Sequence, residues 1–543
     1  MRTRTLLAFL LAGAALLPEQ YFRARIASAE FGGFSDTQGG FTEEFTDTTA
    51  REQDDIDSPA FLPATAVKFR FPSPYDTDGV RLTVSTGTSV ASGGHGCGAT
   101  DCVRQTGYSD WQNIFYEGPP SGAASDEVCF WNSFGDLGPY KGCYVLSTNT
   151  VTWAKLFEVG DDNEGANSAT DSWQTSPTEA NVLYIKGGGT TRRAHYLRCD
   201  TGSGLGSLPL SSEAGGDCTT VGDINTIAAR TQMAAVLGGA AGDYLDDVRI
   251  WSPHVTADGS KFSATILDFA GNNLGAIFMT AADTWVVKPP GGDPFVDLSG
   301  TYGAMGIANN PANCPTSSGN DFIVFPLASP ASEDLICDLH GGTPPGGAPG
   351  HLAFGFGYML ASDNDASAGG GAGFEQVKLW DLSDVAAGGV LVTSYPTNLP
   401  NGFGQPAWGT AVAAATTPIA EQMVFHTNVA SGGSPNPPVA RERELYVYRP
   451  GDPTVMVIAP QMTMMSAAGT GGNESEQAYY KGPKPNVSSD GRWYYLCSNH
   501  DSARMDCFLV RIPRSNLPMP GAPAPVVTLL DRAFAALRLR KPV

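Results

Sequence analysis

The sequence contains seven histidines, and two of them stand where chemistry could be done. His254 and His351 each come just before a stretch with the character of an innermost strand, a position from which a side chain can face a central funnel. An imidazole there could ligate a metal or act as a base in a lyase. The plainer alternative is a polar residue satisfied by its own loop. Trp408 precedes another such stretch and is kept with them as a ligand-binding candidate. Acidic pairs suggest calcium: Asp76 and Asp78 before Gly79, Asp363 and Asp365 before a run of glycines, and the cluster Asp161-Asp162-Asn163-Glu164. Calcium needs several oxygens from one short loop, and glycine permits the bend. None of these runs continues into a twelve-residue loop ending in glutamate, so solvated acidic turns are the simpler account. No cofactor is predicted, with calcium the one candidate left open.

Other chemistries are missing from the chain. It has no Gly-x-Ser-x-Gly elbow, no histidine followed by glutamate and no Gly-Lys pair. These absences remove the usual serine-hydrolase, helical zinc-protease and P-loop signatures. No catalytic set is therefore assigned. The formal charge of −22, from 33 Lys+Arg against 55 Asp+Glu, excludes a general nucleic-acid or anionic-membrane binder.

The elements that must position these residues are short strands. With 65 glycines and 39 prolines among 543 residues, long helical bundles and coiled coils are excluded. The clearest local pattern covers residues 487–512, where Asp490-Gly491 feeds the strand of Trp493 to Cys497, and a polar turn leads to the strand of Cys507 to Ile512. Residues 254–279 repeat it around Asp258-Gly259. Weaker copies start near Trp111, Trp173, Met305, Phe354 and Trp408. Four short strands with long loops need a period of roughly sixty residues, which suits one propeller blade. Residues 223–237 read as a short helix inserted between two units. The strand-like stretches 61–71 and 80–84 could close a ring with the last blade, which would remove exposed sheet edges.

These units resemble the WD40-like (PD40) repeats of TolB-type β-propellers, well over 487–512, fairly over 254–279 and in outline elsewhere between 105 and 513. The resemblance implies a propeller fold and little chemistry, since such propellers bind proteins, cap hydrolase domains or carry enzyme sites in particular branches; the seven units predict an all-β propeller of seven four-stranded blades with disulfide-braced hairpins, the alternative being an irregular pair of β-sandwiches. The expected organisation is a signal peptide over 1–29, an acidic segment over 30–60, the propeller over 61–513, and a Pro-rich linker with a short C-terminal helix over 514–543.

Export is read from the N-terminus. Two arginines precede an uncharged run over 5–17, and Ala27-Ser28-Ala29 offers small residues at a cleavage site. Thirteen residues are too few to cross a bilayer as a helix, so no integral membrane segment is expected in the mature chain. Ten cysteines, an even number, then argue for disulfides in a periplasmic, cell-surface or extracellular protein. The repeat selects the pairs. Cys129 with Cys143 and Cys497 with Cys507 would face each other within a hairpin. Cys314 with Cys337 would bracket a hairpin, Cys199 with Cys218 a connection, and Cys97 with Cys102 a small loop. The leading function is an exported module that binds a protein or a glycan at one face of the ring. The alternative is an envelope or extracellular enzyme, a polysaccharide lyase or hydrolase, using the central funnel. Converging histidines and carboxylates in the cavity would favour the enzyme, and an apolar lining the binder.

Overall fold

The computed structural model describes residues 33–44, 63–83, 113–115, 126–133, 139–158, 173–187, 193–212, 216–307 without 246, 321–336, 349–363, 376–394 without 388–389, 402–407, 424–430, 441–449 without 442, 452–462, 485–498 without 489–490, 506–517 without 514–515, and 46, 47, 49 and 51. Trp111, Trp408, Asp365, Cys97, Cys102, Cys314, Cys337, the acidic cluster 161–164, the proposed leader and the proposed C-terminal helix lie outside these residues. His351 and Asp363 are described for their backbone alone.

The strands form seven antiparallel sheets, which are the blades of a propeller. Blade 1 has Glu127–Ser133, Pro139–Val145 and Thr150–Lys155, with Ile114 bridged to Phe130 on the inner side. Blade 2 runs Trp173–Thr175, Val182–Lys186, His195–Asp200 and Cys218–Asp223. Blade 3 runs Val248–Val255, Phe262–Asp268, Asn273–Ala281 and Thr284–Lys288. Blade 4 has Pro294–Val296, Tyr302–Ile307, Asp321–Pro326 and Asp334–Ile336, and blade 5 Pro349–Phe354, Tyr358–Asp363, Gln376–Asp381 and Val390–Ser394. Blade 6 is Gly402–Ala407, Val424–Ala430, Glu444–Tyr448 and Thr454–Pro460, with Phe41–Glu44 added outside. Blade 7 is Asn486–Val487, Trp493–Ser498 and Asp506–Arg511, with Asp78–Arg81 and then Lys68–Arg70 completing its outer side.

The ring is thus closed by N-terminal strands that pair with the last blade, as the strand-like stretches around 61–84 suggest. Val80 stands opposite Leu509 in this pairing. The inserted helix is Ile227–Leu237, capped by the Thr226 hydroxyl, which accepts from Ala229 N at 3.3 Å. One expectation needs correcting. Met305 does not open blade 4; it lies on the second strand, and the innermost strand is Pro294–Val296. Three residues are too short to show the alternation by which strands are recognised. Blade 6 begins at Gly402, ahead of Trp408.

Buried side chains also pack from each blade onto the next. One cluster joins Trp131 of blade 1 to Trp173 and Leu183 of blade 2, another Tyr184 and Tyr196 of blade 2 to Phe262 and Ile266 of blade 3. A third sets Phe34, Val80 and Trp493 against Tyr144 of blade 1. Three of the expected disulfides are formed, Cys129–Cys143, Cys199–Cys218 and Cys497–Cys507, with Cα separations of 4.1, 4.4 and 4.0 Å. Each joins residues directly opposite in an antiparallel pair, where side chains approach closely. Cys199 and Cys218 therefore lie on paired strands of one sheet, a tighter relation than bracketing a connection. No helix among the described residues is long and apolar enough to cross a membrane.

Candidate functional site

The turn between the first and second strands recurs in neighbouring blades, on one face of the ring. In blade 3 the Asp258 carboxylate accepts from the Thr256 hydroxyl (2.6 Å) and from Ser260 N (3.0 Å). Gly259 supplies the left-handed residue, with φ +68°. In blade 4 Asp297 accepts from Thr301 N and Tyr302 N at 2.8 and 2.7 Å, a variant of the same turn that the Asp-Gly pattern does not reveal. Successive turns are bonded to one another. Thr178 Oγ1 donates to Ala257 O (2.5 Å), Ala257 N to Leu298 O (2.9 Å), and Leu298 N to Gly355 O (3.0 Å). Gly357 N returns a bond to Asp297 Oδ2 at 3.0 Å.

Where the inner strands of blades 2 to 5 converge there is a small cavity lined by Gln174, His254, Phe295, Leu298, Leu352 and Phe354, among others. His254 reaches it through an irregularity in its strand: the register shifts between Trp251 and His254, and Ser252 takes φ +45°. The imidazole lies on Phe295, with ring centroids 4.2 Å apart, and Phe295 stacks on Phe354 at 4.8 Å. Burial lowers the His254 pKa to about 3, so the ring is neutral across the physiological range. Gln174 is buried from blade 2, and its Oε1 has no hydrogen-bond partner among the described residues. Nothing in the local pattern around Trp173 marks Gln174 as a channel residue. It arrives there because alternate residues of an inner strand face opposite sides. The free volume is about 20 Å³, room for little more than one water.

The remaining candidates separate. Asp78 is buried, and its carboxylate is held by Lys68 Nζ at 3.1 Å and Arg70 at 2.9 Å, while Ser35 N donates to it at 3.1 Å. The fold therefore compensates this charge from its own side chains. Asp76 sits in the preceding turn with φ +48°. His351 is on the innermost strand of blade 5, opposite Ser362, and Asp363 ends the neighbouring strand. Among the described residues, the one group with metal-ligand spacing is Glu127 with Cys129 and Cys143, and those two sulfurs are joined in a disulfide.

No family model and no curated protein matches the chain. Solved structures are similar in fold. An oligogalacturonate lyase in complex with manganese covers 88% of this chain and 99% of its own, at 12% identity and a TM-score of 0.46. An oligogalacturonate lyase from Vibrio parahaemolyticus has the same coverage, at 9% identity and a TM-score of 0.43. A TolB-like protein of Agrobacterium tumefaciens covers 53% of this chain and 79% of its own, at 9% identity and a TM-score of 0.29. Likenesses this distant say nothing of the chemistry.

Proposed function

We infer that this chain is an exported binding propeller whose partner, a protein or a glycan, docks on one face of the ring. The observation that carries this reading is the small, mainly apolar cavity where the inner strands of blades 2 to 5 meet. The cavity between blades 2 and 5 is walled by aromatic and aliphatic side chains, with one neutral imidazole and one amide, in about 20 Å³. A substrate pocket is usually an order of magnitude larger, with several convergent polar groups. The disulfides support the exported half of the reading, because such bonds persist in oxidising compartments.

The test combines binding and turnover. Purified chain is incubated with soluble polysaccharides, with and without added manganese or calcium, and both complex formation and polymer length are followed. Saturable binding with unchanged polymer length is expected. Depolymerisation that disappears in His254→Ala would overturn the reading in favour of the envelope or extracellular lyase or hydrolase, with His254 as its base. N-terminal sequencing of exported protein beginning at Glu30 would fix the leader at 1–29.

A further inference from the structure

A groove of about 270 Å³ lies on the perimeter of the ring, away from its axis. It runs between the inserted helix Ile227–Leu237 and the tip of the hairpin that carries the outermost strand of blade 3, with Ile227, Ala228, Thr231 and Gln232 on one wall and Asp283 and Trp285 on the other. The insertion is held in place. Thr226 caps the helix, and Arg230 donates from Nε to Asn225 O at 2.8 Å and from Nη1 to Ala241 O at 3.1 Å, joining the residues before the helix to those after it. Ala229 and Met233 are buried against blade 3.

The far side of such a helix ordinarily meets water with charge. Here it presents Ile227, 66% exposed, and Val236, 42% exposed, with Thr231, Gln232 and Ala235 between them. Ile227 and Val236 are two of the five large apolar side chains exposed among the described residues. Arg230 is the one charged residue of the helix, and its bonds turn it to the flanking loops.

Charge and symmetry select what covers this face. The chain carries 22 more acidic than basic residues, so two copies repel one another except where both surfaces are neutral. This helix face is neutral, and a basic partner would find no carboxylate on it. The face also matches itself end to end. About the midpoint between Thr231 and Gln232, Ile227 corresponds to Val236 and Ala228 to Ala235, so each level pairs a branched aliphatic, an alanine or an uncharged polar residue with its like. A two-fold contact needs this property, because each patch meets its own equivalent. In an antiparallel pair the C-terminal half of one helix lies along the N-terminal half of the other, which is the half that borders the groove. Asp283 shares the groove with the first helical residue, where the partial positive charge of a helix N-terminus favours a carboxylate.

We propose that the helix Ile227–Leu237 and its groove pair with the same surface of a second copy of this chain, the two helices antiparallel about Thr231 and Gln232. The contact lies on the perimeter and leaves both faces of each ring open, so it goes beyond the binding-module reading without depending on it. One helix and one hairpin tip make a small interface, below about 1,200 Å² in total, the class of weak association. Dissociation in the micromolar range is expected, and salt should strengthen the pair by screening the repulsion between acidic copies.

The test is sedimentation velocity of the full chain across micromolar concentrations at low and at high salt. A monomer–dimer equilibrium that tightens with salt is expected. Ile227→Glu should weaken it at least tenfold. Ala235→Arg should do the same although it lowers the net negative charge, which separates local contact from long-range repulsion. Each new charge suits its end of the helix, so both variants should keep the wild-type melting temperature. Thr231→Cys, beside the two-fold axis, should give a disulfide-linked dimer under mild oxidation, and Val67→Cys, exposed near blade 7, should not. A dimer equally strong in both charged variants, or one that salt weakens, would overturn the surface. A dimerising chain in which Thr231→Cys does not cross-link would overturn the antiparallel pairing. A chain monomeric at every concentration and salt would overturn the second copy as the occupant.

Discussion

The wall formed by blades 2 to 5 and the seam where the N-terminal segment meets blades 6 and 7 hold the ring together by different means. The wall uses mainly neutral contacts, turn-to-turn hydrogen bonds, stacked rings and an uncharged His254, with one ion pair, Lys288 to Glu333, between blades 3 and 4. The seam uses buried charge. Arg441 Nη1 meets Glu43 Oε1 at 2.7 Å and Arg51 Nη1 meets Glu444 Oε2 at 2.9 Å, while Arg51 also binds Glu43 and Tyr75 donates to Glu444. Arg511 pairs with Asp36, and Arg81 with Asp506 at 3.0 Å. Blades of the wall follow one another along the chain, so packing alone brings them together. The seam joins residues 369 and 398 positions apart, Tyr75 to Glu444 and Glu43 to Arg441. There a wrong register would strand buried charges, a cost of several kcal/mol.

The largest expected effect is at the seam. Glu43→Ala removes the carboxylate shared by Arg441 and Arg51 and should cost about 3–5 kcal/mol in urea unfolding. Glu444→Gln should cost distinctly less, because burial already pushes the Glu444 carboxyl above its ordinary range despite the neighbouring arginines. Equal losses in the two variants would break the distinction between a charge that joins the seam and one it merely tolerates.

Next come the disulfides flanking the seam. Replacing both Cys497 and Cys507 by serine should remove about 2–4 kcal/mol. Peptide mapping without reductant should recover the bridge intact, together with Cys97–Cys102 and Cys314–Cys337. Free thiols at those four positions would restrict the cysteine pairing to the three bridges of blades 1, 2 and 7.

The wall has its own pH signature. The folded state lowers the His254 pKa from 6.5 to about 3, so the unfolded chain takes up this proton first as pH falls. The stabilisation is complete above pH 6.5 and declines toward pH 3, by about 2 kcal/mol between pH 8 and pH 5. His254→Phe should flatten that part of the acid limb in melting experiments. Glu444, with a raised pKa, acts in the opposite sense, its contribution declining as pH rises through its folded value. An acid limb unchanged in His254→Phe would show that the imidazole does not stay neutral and buried in the folded state. The smallest effect is at one rim bond: Thr178→Val removes the donor to Ala257 O and should cost about 1 kcal/mol.

Much of the architecture was legible in the chain because its signals are local. Glycine and proline content excludes long helices, the Asp258-Gly259 turn marks a strand exchange, and hairpin spacing pairs Cys129 with Cys143 and Cys497 with Cys507. The strand-like character of 61–84 indicates ring closure for the same reason. The three-residue strand Pro294–Val296 was not legible, since it is too short to carry a period.

Which side chains meet across blades was decided only by the tertiary structure. Gln174 and His254 are eighty positions apart and share a cavity because their inner strands converge on one axis. Asp78 in isolation reads as a calcium ligand, yet the closure hairpin sets it between Lys68 and Arg70. Turn and strand preferences act over a few residues, whereas these encounters depend on the closed ring and leave no mark in local spacing.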